Sequence, residues 1–128
     1  MTKFTRFNSG GGGNSSSETT LIGGINATIS GRAAQDFRTV AGIRFNVVPY
    51  VIIKKSRITE VVVSSANTND YQIGIIVNNV TTTLIKDNGQ RFQALKTNIE
   101  VPENSQIRIR FLTSNTDISQ PIVQLKYR

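Results

Sequence analysis

A chain of 128 residues has the size of one domain and is long enough to bury one hydrophobic core. With no cysteine it can build neither disulfides nor thiolate metal sites, and with no histidine it lacks the side chain that does most acid–base work near neutral pH. The formal charge of +7 favours acidic partners such as nucleic acid, anionic glycans or another protein's acidic face, or simply keeps a basic protein dispersed.

Residues 1–18 read as an arm. The tripeptide Thr2-Lys3-Phe4 is nearly doubled as Thr5-Arg6-Phe7, and residues 8–17 are all Gly, Ser or Asn. Such a tract has no side chains to bury and loses much backbone entropy when ordered. No apolar segment follows Lys3 and Arg6, so no signal peptide is expected. The longest apolar run, residues 47–53, is far too short to insert in a membrane. A tether of seventeen residues spans at most ~55 Å when extended, and about 23 Å on average as a coil. Its tip combines the residue types that dominate interfaces. Phe4 and Phe7 would fill apolar pockets on a partner, Lys3 and Arg6 would meet carboxylates, and residues 10–17 would be slack.

From residue 19 to 128 the pattern is that of strands. "SGRAAQDF" has room for one helical turn at most. "DFRTVAGIRFNV" places Phe37, Thr39, Ala41, Ile43, Phe45 and Val47 on one face and Arg38, Val40, Gly42, Arg44 and Asn46 on the other, a half-buried strand with a bulge allowed at Gly42. "RITEVVVS" predicts a strand over residues 57–64. "YQIGIIVN" aligns Tyr71, Ile73, Ile75 and Val77, and "VTTTLIK" is rich in β-branched residues. "QIRIRFL" turns Ile107, Ile109 and Phe111 inward and Arg108 and Arg110 outward. "PIVQLKY" aligns Val123, Leu125 and Tyr127 against Gln124 and Lys126.

Turn clusters separate these runs: "SANTND", "KDNGQ", "VPENSQ" and "TSNTDISQP". Asp87-Asn88-Gly89 predicts a hairpin, because Asn and Gly tolerate positive φ. About eight strands at this spacing give an all-β fold: a single antiparallel β-sandwich, jelly-roll-like, behind the arm. Its predicted core is Phe37, Ile43, Phe45, Ile73, Ile75, Ile107, Ile109, Phe111 and Leu125. Residues 61–63 and 75–77 are apolar on both faces, which predicts burial against identical subunits.

Catalytic chemistry has few candidates. The eight acids are scattered, and Asp70, Asp87, Glu103 and Asp117 fall in turns, where such residues cap and bend the backbone. Residues 10–13 are no phosphate loop, since no Gly-Lys-Ser/Thr follows. "NTND" lacks the alternating Asp spacing of a calcium loop. No catalytic, cofactor or metal site is expected. Arg108, Arg110 and Lys126 project outward and would form a basic surface if their strands adjoin. That surface would bind nucleic acid weakly or not at all, because the one aromatic nearby, Phe111, faces inward.

The cadence of the second half carries a resemblance. "KKSRITEVVVSS", "YQIGIIVNN", "NIEVPENSQIRIRF" and a closing "PIVQLKYR" resemble the small β-sandwich domains of tailed-phage virion proteins: head fibres, capsid decoration proteins and fibre tips. The family's polar corner before an Ile/Arg strand corresponds to residues 101–107, and the resemblance spans about residues 50–128. Asn104 stands where that corner often has Gly, which leaves the subfamily open. The resemblance implies a non-enzymatic virion structural protein, commonly a trimer, located in the particle. Two alternatives stay open. One is a virion module whose "SANTND" or "TSNTD" loop binds a glycan or host receptor. The other is a small jelly-roll coat protein that contacts nucleic acid, although packaging arms usually carry more cations than Lys3 and Arg6.

Overall fold

The computed structural model describes residues 17–128. In chain order the strands are β1 (Thr19–Gly24), β2 (Thr28–Ile29), β3 (Gln35–Asp36), β4 (Tyr50–Ile52), β5 (Ser56–Ser64), β6 (Tyr71–Val77), β7 (Val80–Lys86), β8 (Phe92–Val101), β9 (Ser105–Ser114), β10 (Ile118–Ser119) and β11 (Ile122–Tyr127). No helix occurs among the described residues. One sheet has the order β1-β11-β5-β8. The other runs β3-β9-β6-β7, with β4 also paired to β9, and a short β10-β2 pair closes one end. All pairings are antiparallel. Counting the split strand β3/β4 as one, the long strands alternate between sheets in jelly-roll order, and only β6 and β7 are joined as a hairpin within a sheet.

The period-two runs face a common interior. Phe37, Phe45, Ile73, Ile75, Ile107, Ile109, Phe111 and Leu125 are buried in one cluster with Ile58, Val61, Val63 and Val123. Tyr71 and Phe111 stack at 5.6 Å between ring centroids. Ile109 is fully buried, so Ile109→Ala should destabilise the domain by about 2–5 kcal/mol in denaturant titrations. A loss below about 0.5 kcal/mol would remove Ile109 from the core.

Four expectations need correction. The run at residues 36–47 is not one long strand. Gly42, at φ 84°, closes a tight turn in which the Thr39 N–H donates to Ile43 O and the Gly42 N–H to Thr39 O. The turn brings Phe45 N–H back onto Phe37 O, so both rings enter the core while Ile43 at the bend stays 43% exposed. "SGRAAQDF" holds a turn, with Ala33 N–H on Ser30 O, and no helix. Asp87-Asn88-Gly89 does turn, with Gly89 at φ 67°, but it carries the chain from one sheet to the other. The true hairpin turn is Asn78-Asn79, with φ of 49° and 69° inside the closing pair Val77–Val80, as a type I′ turn requires. Finally, β8 is a strand that the pattern does not announce. It is an edge strand whose exposed face mixes Phe92, Ala94, Lys96, Asn98 and Glu100, and only Val101 is fully buried.

The corner at residues 101–105 has a local cause. Asn104 adopts φ 59°, a conformation Asn tolerates nearly as well as Gly, and its N–H donates to Ile53 O. Ser105 is buried there and donates its hydroxyl to Pro102 O. Asn78 locks the hairpin to this corner: its Nδ2 donates to Ser105 Oγ at 3.1 Å, and its Oδ1 accepts from Gln106 N–H at 2.9 Å.

Candidate functional site

Lys3, Phe4, Arg6 and Phe7 lie outside the described residues, as do all but the last two residues of the 1–18 arm. The structure does place the arm's root. Thr19 pairs with Tyr127 on β1, an outer strand of its sheet. Tyr127 donates to or accepts from Tyr50 across 2.8 Å between hydroxyls, and burial, helped by that contact, pushes its pKa up to about 12.

The predicted basic surface is divided. Arg108 and Arg110 stand on β9 and Lys126 on β11, which belong to opposite sheets, so the three cations share no stripe. Each is also paired. Asp36 on β3 is buried, and its carboxylate accepts from Arg108 Nε at 2.9 Å, Arg108 NH2 at 3.0 Å and Arg110 NH1 at 2.6 Å. This places one anion under two half-buried guanidiniums, and the hydrogen bonds to Asp36 raise the Arg108 pKa further. Arg108 also stands in register with Ile76, which is buried although it faces outward. Lys126 and Lys96 both meet Glu60, at 3.3 and 3.2 Å, and their hydrogen bonds hold its carboxyl below the usual range.

Cations without a carboxylate partner gather elsewhere. Lys54, Lys55 and Arg128 line a groove at the arm-bearing end with Val51, Ile53 and Tyr127, and none of the three makes an ion pair among the described residues. The "KK" and the final Arg are visible in the sequence. Their proximity depends on the pairing of Arg57 with Arg128, which a linear pattern does not display.

Lys86 is a further surprise. "VTTTLIK" turns this lysine inward opposite Tyr71, where it is fully buried. Its Nζ donates to Asp70 Oδ1 at 2.8 Å, with the carbonyls of Thr68 and Asn69 at 3.4 Å. Asp70 also accepts from Gly89 N–H at 3.0 Å. The two loops proposed for recognition meet beside this cage: Asn69 Nδ2 and Asn67 Nδ2 both donate to Asp117 O, at 2.9 and 3.3 Å. Lys86, followed by the Gly89 amide, holds the Asp70 pKa below its ordinary 3.8. A lowered folded pKa means that this stabilisation is present above pH 3.8 and fades as pH falls through the lower folded value. Asp70→Asn should cost about 2–3 kcal/mol near neutral pH, since it strands a buried ammonium that keeps only carbonyl partners. It should also flatten the acid limb of the stability profile below that pH. An unchanged acid limb in denaturant titrations would contradict the assignment.

Among the described residues no group of three or more acidic, His or Cys side chains is placed to hold a metal. An apolar groove of 420 Å³ lies at the far end of β1, lined by Ile22, Ile25, Val40 and Ile122 together with Arg38 and Gln120. Val40 is 89% exposed, and Ile22 and Ile122 more than 40%. Arg38 NH1 is held at 2.9 Å by Gly42 O, and Gln120 has a φ of 49°.

No known protein-family profile and no curated protein sequence matches the chain. Among solved structures, the crystal structure of FlhE aligns with 12% identity and a TM-score of 0.44, over 88% of this chain and 99% of that one. Exo-β-1,3-galactanase from Phanerochaete chrysosporium aligns with 9% identity and a TM-score of 0.43, over 86% of this chain and 30% of the enzyme.

Proposed function

We propose that the chain is a non-enzymatic structural protein of a phage virion, a capsid decoration, head-fibre or tail-associated jelly roll held to its partner by the N-terminal arm. The observation that carries this reading is apolar surface. A buried core is in place, yet eleven large hydrophobic residues remain exposed among the described residues, including Val40, Val47, Ile53, Val80 and Phe92. Single exposed aliphatics are ordinary, but this many on a small domain fit a protein that is covered by neighbours. The resemblance of residues 50–128 supplies the setting, and it favours a homotrimer. A second reading, a coat protein that touches nucleic acid, is favoured by Lys54, Lys55 and Arg128, which lie at the end where the arm begins and make no ion pair among the described residues.

Photo-crosslinking from benzoylphenylalanine at position 4 or 7 in assembled particles tests the proposal. The expected product is a covalent adduct with another virion protein. Adducts with nucleic acid instead would establish the second reading. Particles that contain none of this chain would overturn both.

A further inference from the structure

We propose that the groove between β1, β11 and the turn at residues 38–43 is the resting seat of the chain's own arm, with Phe7 as its occupant. The inference rests on the reading of the arm as the attachment segment and adds where its tip sits before attachment.

The groove asks for an aromatic side chain. Its lining is largely apolar, with Ile22, Ile25, Val40 and Ile122 contributing the aliphatic surface. At 420 Å³ it has room for a phenyl ring. Arg38 also lines it, with its guanidinium tethered to Gly42 O, so a planar cation is at hand for an aromatic ring. An aliphatic occupant would gain nothing from that cation. Lys3 and Arg6 would remain in water. Gln120, also in the lining, holds a left-handed φ that a residue with a Cβ adopts at a cost, a kind of strain that concentrates at ligand clamps.

The distances suit the chain itself. β1 runs from Thr19 at the arm root to Gly24 at the groove, five residues or about 17 Å at strand rise. Phe7 precedes Thr19 by twelve residues. A Gly/Ser-rich segment of that length has an r.m.s. end-to-end distance of about 19 Å. Effective concentration is greatest when linker length matches the span, so a weak aromatic contact suffices to close the arm onto its own domain. β1 is an outer strand of its sheet, and among the described residues only its Gly24 end takes a further backbone partner, Arg38. A partner that binds the tip more tightly would draw it out, and the chain would keep Phe7 covered until then.

The chain has no tryptophan, so Phe7→Trp in the full-length protein gives a single reporter. Its emission should be blue-shifted relative to the same protein unfolded, and equally so on dilution from high to low micromolar concentration. Adding Val40→Asp, or Ile122→Glu in a separate variant, should abolish the blue shift while circular dichroism and melting stay those of a folded sandwich. Emission typical of exposed Trp at every concentration would overturn the proposal. So would a blue shift that ignores both groove variants, or one lost on dilution, which would place the tip in a second copy. The groove variants keep the arm, so particle incorporation measured on them reports on attachment independently of the seat.

Discussion

The double variant Arg108→Ala, Arg110→Ala is expected to lose about 3–5 kcal/mol of stability, enough to threaten folding of a small domain. Asp36 has no exposed side-chain surface, and its oxygens accept from these two guanidiniums. Removing both leaves a carboxylate in the interior without a counterion. Either single change should cost less, about 1–2 kcal/mol, because the other arginine still pairs with the acid. Asp36→Ala should also cost less than the double variant. It strands two cations, but both are about 30% exposed and can turn to water. The order is the test: denaturant midpoints should fall furthest for the double arginine variant. If Asp36→Ala is the more damaging, the arginines are not neutralising a buried charge and their pairing with Asp36 does not work as described.

Deletion of residues 1–9 should abolish incorporation into particles and leave the melting temperature of the sandwich almost unchanged. The core is built from residues 21–127. Phe4→Ala with Phe7→Ala should do most of the damage, because buried aromatics dominate interface energies. Lys3→Ala with Arg6→Ala should do less, and its effect should shrink as salt rises. Replacing residues 10–13 by serines should be nearly silent, since a tether supplies reach. Quantifying the chain per purified particle checks all four variants. Normal incorporation of the truncated protein would move the attachment surface onto the sandwich.

Much of the fold is legible because each interior strand is read by one face. Ile107, Ile109 and Phe111 alternate with Arg108 and Arg110, and alternation alone puts the first three in the core. β8 shows the limit. At a sheet edge the inner face of Gln93, Leu95, Thr97 and Ile99 is only half covered, so evolution leaves polar residues on both sides and the period blurs. Residues 37–45 mislead in another way. A tight turn that returns Phe45 to Phe37 preserves the odd-numbered spacing of the two rings, so the sequence of a folded-back loop imitates one strand. Charge is legible only as an amount. That Arg108 and Arg110 lean on Asp36 depends on a contact across more than seventy residues, and the separation of Lys126 from both depends on β9 and β11 entering opposite sheets.

The pairing of Thr19 with Tyr127 also has a consequence for how the protein comes into being. Apart from the β6–β7 hairpin, which a type I′ turn can close in about 1–10 μs, every long strand finds a partner far away in the chain. Topologies of this kind fold on the millisecond-to-second scale. β1 emerges from a ribosome early and cannot be paired until β11 has followed it, about 100 residues and roughly 5–20 s later at ordinary elongation rates. During that interval the apolar strands between them are made without the sheet that will cover them. The sheet that holds β1 is therefore completed late, and a nascent chain that stops short of residue 122 has no partner to offer the strand that carries the arm.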